Sequence, residues 1–449
     1  MEDTIAAIST PFGQGAIALV RLSGTGAIAV ASRLFFGKTS IDQLPNKKQS
    51  LGKIVDPTSN ATVDQVVICL HRAPHSYTGE DLVEINCHGG VLVSRKILEL
   101  CMQNGARLAE AGEFSKRAFT NGKLDLTQAE AVMDIISAKT PLALQAAAEQ
   151  LEGRLGKKIL EIRQHLIELL AHIEAYIDFP EEGIEPDIGQ TLQLNMKTIS
   201  AELDYLLSTA EQGKILREGV RTVICGEPNV GKSSLLNFLL GFGRAIVSPT
   251  PGTTRDSIEE AINLRGIPLC LIDTAGLRHS TDPIEQEGIA RTQKLIGQAD
   301  LVLLVVDASQ GQSSYFEKIF HSHPANTLPV LNKADLGIHG DWAEHQGIPI
   351  SCTKQEGMDN FLKAVYVRIA SGLANWGEAQ VAINTRHQQC LGNAQSALNR
   401  AIEAFQQQLS PELIATDLRA ALNFTSEVVG KTDAEEILGT IFSRFCIGK

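Results

Sequence analysis

The strand-like run VRTVIC at 220–225 leads directly into Gly226-Glu-Pro-Asn-Val-Gly231-Lys232-Ser233, and the apolar helical run SLLNFLLG follows at once. A GxxxxGK[ST] loop in that position ties the chain to one local geometry: a buried strand, a tight turn of backbone N–H groups, and a helix whose N-terminus faces an anion. Around it, from 217 to 376, the runs IPLCLIDTAG, ADLVLLVVD and TLPVLNKAD alternate with helical patterns. Such alternation predicts a parallel, doubly wound sheet with helices on both faces.

The loop carries candidate chemistry residue by residue. Asn229, Val230, Gly231, Lys232, Ser233 and Ser234 surround the phosphates, with Lys232 reaching the β and γ oxygens and Ser233 binding Mg2+. Asp273 ends a strand and suits the magnesium side; Thr274, Ala275 and Gly276 follow, Gly276 offering its N–H to the γ-phosphate. Between them lies Gly252-Thr253-Thr254-Arg255-Asp256, a candidate switch region with Thr254 as a second magnesium ligand, and Ser248, Pro249, Thr250 and Pro251 just before it are further candidate nucleotide contacts. Asn332-Lys333-Ala-Asp335 follows the strand LPVL. Asp335 can accept two donors from a guanine edge, a pairing adenine does not reproduce, so the expected nucleotide is GTP. Ser351, Cys352 and Thr353 would close over the base. In the place where a Ras-type enzyme has its water-orienting Gln stands Leu277, so catalysis requires parts from elsewhere. Arg255 and Arg278 are candidate arginine fingers.

The remaining chain reads as two further textures. Residues 1–118 mix strand-like GAIALVRL, VDQVVICL and DLVEINCH with a helix closed by Gly105. Residues 119–213 are helical patterns interrupted by FPEEGIEPD, and 380–449 are helical again, with Ser410-Pro411 opening one helix and a Thr432-x-x-Glu435 capping box another. So short a terminal segment needs the earlier helices to bury its apolar side. The expected organisation is therefore multidomain, α/β plus all-α: an N-terminal α+β domain, a helical domain formed from two chain segments, and a Ras-like doubly wound P-loop G domain at 217–376 inserted into it.

Composition narrows the function. Fifty-two Asp plus Glu against 40 Lys plus Arg give a net charge of -12, which excludes coating nucleic acid through a general positive field but leaves room for a local patch. No stretch approaches the roughly 20 apolar residues of a membrane span, and the start MEDTIAAIST lacks a basic region before an apolar run. A cytoplasmic protein is expected. The eight cysteines include no CxxC pair, and Cys69, Cys225 and Cys270 fall in strand-like runs as reduced, buried thiols.

Together, the phosphate loop with Asn229, AIVSPTPGTTRD, DTAGLR, NKAD and the terminal Phe445-Cys446-Ile447-Gly448-Lys449 resemble the tRNA-modification GTPase family MnmE, also called TrmE. TPFGQGAIALVRLSG and GEFSKRAFTNGKLDLTQAEA resemble the same family, so the likeness spans the whole chain. It implies a GTPase that modifies C5 of the wobble uridine of certain tRNAs, adding an aminomethyl or carboxymethylaminomethyl group. It also implies a homodimer and an FAD-dependent partner of the MnmG/GidA type. By resemblance, K+ takes the arginine finger's place, held by Asn229, Ser248, Thr250 and Thr253, and Glu285 positions water, with Glu287 the local competitor.

Glu84 in VEINCHGGV ends a strand and Gly89-Gly90 opens a helix, which reads either as a seat for an anion or heterocycle or as a tight turn. The resemblance favours the first, with 5-formyltetrahydrofolate or a related tetrahydrofolate at Arg21, Glu84, Lys123 and Lys449. It also implicates Cys446 in activating the uridine; four residues from the end of a chain, such a thiol is otherwise a small inert hydrophobe. A regulatory or ribosome-assembly GTPase without modification chemistry is the alternative reading.

Overall fold

The computed structural model describes residues 3–178, 186–243, 259–273, 293–370, 381–431, 435–443 and 445–448. Two compact units emerge, one of Met1–Met133, Leu151–Ile167 and Leu422–Lys449, the other of Asp134–Gln150 and Glu168–Ala421.

In the first unit, β1 (Ile5–Ile8), β2 (Ile17–Ser23), β3 (Phe35–Gly37), β4 (Gln49–Val55), β5 (Thr62–His71), β6 (Leu82–His88) and β7 (Arg107–Leu108) form one sheet in the order β3-β4-β5-β6-β2-β1-β7. Only the β1–β7 pair is parallel. Side chains alternate between the faces. Val20, Leu22, Ile68, Leu70, Val83 and Ile85 share a core with residues of α1 (Ala27–Leu34) and α2 (Val91–Gln103). The intervening Arg21, His71 and Glu84 belong to the other face, beside a small cluster of Ile5, Ala7, Ala109 and Phe114.

Helices α3 (Glu113–Thr120), α4 (Leu126–Ser137), α5 (Pro141–Leu151), α6 (Arg154–Asp178), α7 (Pro186–Ser208) and α8 (Ala210–Glu218) follow. The long helical run before 178 breaks at Gly153, and the run expected to end at 213 breaks at Thr209 and continues to Glu218. Gly213 packs directly on the backbone of Ile383.

The second sheet comprises β8 (Val220–Cys225), β9 (Glu259–Leu264), β10 (Ile267–Asp273), β11 (Leu301–Asp307), β12 (Thr327–Asn332) and β13 (Ile348–Pro349), in the order β13-β12-β11-β8-β10-β9. It is parallel except for the edge strand β9, which pairs antiparallel with β10. Every residue of β11 and β12 is buried, as strands covered on both faces require. Val220 and Ile224 share one core with Leu235 and Leu239 of α9 (Lys232–Gly243) and with Phe361 and Val365 further along the chain. Val223 and Cys225 share the opposite core with Phe316 and Ile319 of α10 (Ser314–Ser322). Phe361 and Val365 lie on α11 (Met358–Ala370). The domain is thus doubly wound, as the alternation predicted.

Helices α12 (Thr385–Gln406), α13 (Pro411–Val429) and α14 (Glu435–Phe442) complete the chain. Gln395 of α12 donates to Ser200 of α7 at 2.7 Å, so helices from before and after the nucleotide domain pack together. Helix α13 begins at Pro411, as the Ser410-Pro411 pair predicted. The Thr432 capping box extends outside the described residues. A capping box at Asn384 and His387, not foreseen from the sequence, opens α12. Phe442 and Phe445 pack with Ala129 and Val132 of α4.

Candidate functional site

Parallel register places Asp273 of β10 beside Ile224 of β8, and Asp307 of β11 beside Asn332 of β12. The loops that leave these strands therefore share the carboxyl end of the sheet, where doubly wound folds bind ligands. Val230 is buried beneath the loop, whereas Asn229, Ser233 and Ser234 are exposed. Asn229 adopts φ +63°, a conformation Asn tolerates better than most side chains. Lys232 opens α9 and its ammonium donates to the Glu227 carbonyl at 2.6 Å, across the turn of the loop. Gly231 has φ +100°, and a methyl group there would collide with the Asn332 amide, so glycine is required twice over.

Asn332 is the junction of this site. It is 3% exposed. Its Nδ2 donates to Val230 O at 2.7 Å, and its Oδ1 accepts from Cys352 N at 3.1 Å. One side chain thus fastens the phosphate loop to the segment Ser351-Cys352-Thr353. Ser351 is buried and its hydroxyl accepts from Lys354 N at 3.1 Å, while Thr353 is exposed. Burial pushes the Cys352 thiol up to about 11, so it remains protonated near neutrality. Asp335 sits in a short 3-10 turn, Ala334–Leu336, with Oδ2 3.9 Å from Lys354 Nζ.

Lys333 adopts φ +62° and places its ammonium 2.7 Å from Asp307 Oδ2. Burial pushes the Asp307 carboxyl up, but Lys333, the Ser309 hydroxyl and the Ser309 N–H together outweigh it, leaving the group below its ordinary value. Asp307 was not singled out from the sequence, although its position at the end of the run LVLLVVD was the available signal.

Ser248, Pro249, Thr250, Pro251, Gly252, Thr253, Thr254, Arg255, Thr274, Ala275, Gly276, Arg278, Glu285, Glu287 and Lys449 lie outside the described residues, as does the side chain of Asp273.

A second constellation occupies the polar face of the N-terminal sheet. Arg21 and Glu84 are direct cross-strand partners. The Arg21 guanidinium donates to Glu84 Oε1 through Nε at 3.1 Å and Nη2 at 2.7 Å. It also lies 5.7 Å from the Tyr77 ring centre and 5.8 Å from that of Phe114. His71 Nε2 is 3.4 Å from Glu84 Oε2. Lys123 is exposed and donates to Pro74 O at 3.0 Å, holding the loop that leads to Tyr77 rather than the Arg21–Glu84 pair.

The C-terminal tail docks on the same unit. Gly112 N donates to Cys446 O at 3.4 Å, Ile447 bridges Ala111, and Ser9 Oγ donates to Gly448 O at 3.0 Å. Gly448 has φ +98°, and a methyl group there would stand 2.6 Å from Ile8 O. Phe445 is buried and Cys446 exposed. The thiol is therefore presented at the surface, not packed as a small hydrophobe.

Residues 4–123 match the family described as GTP-binding protein TrmE N-terminus, and residues 126–446 match the MnmE helical domain. The chain is 49% identical over 449 residues to a tRNA modification GTPase MnmE of Akkermansia muciniphila, covering 100% of this chain and 99% of that one. It is 44% identical over 458 residues to the protein of the same name from Geobacillus thermodenitrificans, with the same coverage. Among solved structures, the G domain of the T. maritima FeoB iron transporter is similar over 34% of this chain and 98% of that one, at 28% identity and a TM-score of 0.26.

Proposed function

Because the chain belongs to the MnmE (TrmE) family of tRNA modification GTPases, we propose that it hydrolyses GTP and that this hydrolysis serves the modification of tRNA. The observation that carries the reading is the Asn332 junction. A side chain that binds both the phosphate loop and the base-closing segment makes recognition of guanine and grip on the phosphates parts of one structure.

In this reading Asp335 accepts from the guanine edge, Lys232 moves from Glu227 O to the phosphates, and Ser233 with Thr254 holds Mg2+, Asp273 supporting it. The exposed hydroxyl of Ser233 in the first turn of α9 suits that ion. Exposed at the outer turn of the loop, Asn229 offers a neutral carbonyl oxygen suited to K+, completed by Ser248, Thr250 and Thr253. A cation there supplies positive charge against the departing phosphoryl, the part an arginine plays elsewhere. Glu285 orients the attacking water.

The modification half uses the N-terminal unit and the tail. Glu84 and Arg21 suit a tetrahydrofolate, whose amino edge needs an acceptor. Lys123 and Lys449 serve its carboxylates, and for Lys123 this means exchanging the Pro74 carbonyl for the ligand. The folate supplies the one-carbon unit; Cys446 acts on the wobble uridine. The active form is a homodimer working with an FAD-dependent MnmG/GidA-type partner. The domain division 1–118, 119–213 with 380–449, and 217–376 is part of the same proposal. Among the described residues no helix is long and apolar enough to cross a membrane; a cytoplasmic setting is part of the same proposal.

The test pairs GTP hydrolysis by the pure protein with nucleoside analysis of tRNA from a strain carrying Cys446→Ser. Hydrolysis unchanged and the C5 modification lost is the expected result. Normal modification in a strain lacking the gene would instead identify a regulatory or ribosome-assembly GTPase.

A further inference from the structure

The Arg21–Glu84 pair has an asymmetry. Both guanidinium hydrogen bonds go to Oε1, so Oε2 accepts none from the described residues. Glu84 is half-buried, its side chain 23% exposed. Beside Oε2, 3.4 Å away, His71 Nε2 is buried and has no hydrogen-bond partner. The two atoms are near neighbours, but the imidazole is not aligned to donate to the carboxylate. A buried nitrogen left without a partner costs about 1–3 kcal/mol, so its retention points to a group absent from the folded chain itself.

We propose that His71 is a third binding residue of this site, and that Glu84 Oε2 and His71 Nε2 together read a 2-amino-4-oxopyrimidine edge. Such an edge presents an amino donor and a ring N–H next to a carbonyl oxygen. Glu84 Oε2 accepts from the donors, and Nε2–H of His71 donates to the adjacent carbonyl. The neighbouring Arg21, stacked on Tyr77 and Phe114, holds Glu84 oriented for this role through its two hydrogen bonds to Oε1. His71 is the last residue of β5 and Glu84 lies on the adjoining β6, so both atoms are held by the sheet rather than by a loop. The inference rests on the folate reading of the preceding subsection and deepens it. The same edge occurs in a pterin and in guanine, and the ligand assigned here is the pterin.

The experiment is calorimetric titration of the full chain, pre-saturated with GDP, with 5-formyltetrahydrofolate and separately with guanosine, for wild type, His71→Phe and His71→Gln. His71→Phe should weaken folate binding about five- to tenfold, while His71→Gln, which keeps a donor at similar reach, should stay within about twofold of wild type. GDP affinity should not change in any variant, and an unchanged melting temperature of His71→Phe would exclude misfolding as the cause. Folate binding by wild type and His71→Phe alike would overturn the role of His71 and leave the folate site standing. Tight guanosine binding without folate binding would move the site to a second guanine ligand. Binding of neither, with GDP binding intact, would remove both the folate reading and this inference.

Discussion

The Asn332 junction makes a quantitative prediction. Asn332→Ala removes the donor to Val230 O and the acceptor of Cys352 N, and Val230 O and Cys352 N are left without the partner each now has. Each such loss costs about 1–3 kcal/mol, at the lower end where water can enter the vacated space. The sum is about 2–4 kcal/mol. Spread over a urea slope of about 2–3 kcal/mol per molar, that shifts the midpoint of nucleotide-domain unfolding down by about 1 M. Trp342 is a natural reporter: it is 3% exposed, packs edge-on against Phe316, and lies in the doubly wound domain. GDP affinity should fall at least about tenfold, because the two segments that must grip phosphate and base are no longer fastened together. Asn332→Asp sharpens the test. It keeps an oxygen for Cys352 N but sets a carboxylate oxygen against Val230 O, so it should be no milder than alanine. Midpoint and GDP affinity both unchanged in Asn332→Ala would refute the idea that this side chain couples the loops.

Three further outcomes are expected. Asp335→Asn should lower GTP affinity by about a hundredfold or more and recover it with xanthosine triphosphate, because the swapped hydrogen-bonding edge now needs a carbonyl on the base; competition binding with the two nucleotides decides it. Asp307 has a carboxyl held below its ordinary value, so its contribution to stability is complete above about pH 4 and is lost as the pH falls through the lower, folded value. Asp307→Asn should therefore be less stable than wild type at pH 7, with the gap closing in acid, as followed by Trp342 fluorescence; a pH-independent gap would mean the loss is steric. Glu285→Ala should bind GTP normally and lose most of its turnover, and wild-type turnover should fall when K+ is replaced by Na+; stopped-flow phosphate release measures both, and indifference to the ion would return the catalytic charge to an arginine such as Arg255 or Arg278.

The fold was most legible where local chemistry and global topology demand the same residues. The run VRTVIC followed by GEPNVGKSS specifies a buried strand, a turn and a helix start, and the neighbouring apolar runs could only be buried parallel strands. The edge strand β9 escaped notice because Glu259-Glu-Ala-Ile-Asn-Leu264 alternates weakly and, pairing on one side only, needs no continuous apolar run. Gly153 lay inside a pattern whose helical spacing resumes on both sides, so periodicity alone did not reveal the break. Site residues divide along a similar line. Lys232, Asn332 and Asp335 were visible because each lies at a fixed offset from a strand end, whereas Asp307 and His71 meet charged partners across neighbouring strands, Lys333 just past β12 and Glu84 on β6. Such pairs are set by strand register, and register is a property of the assembled sheet. The sharpest case is Gly231: the sequence pattern asks for glycine so that the backbone can approach a phosphate, yet the folded domain asks for it again so that Asn332 can reach Val230 O. Replacing Gly231 by alanine should therefore damage the apo domain as well as nucleotide binding, a consequence the motif by itself does not contain.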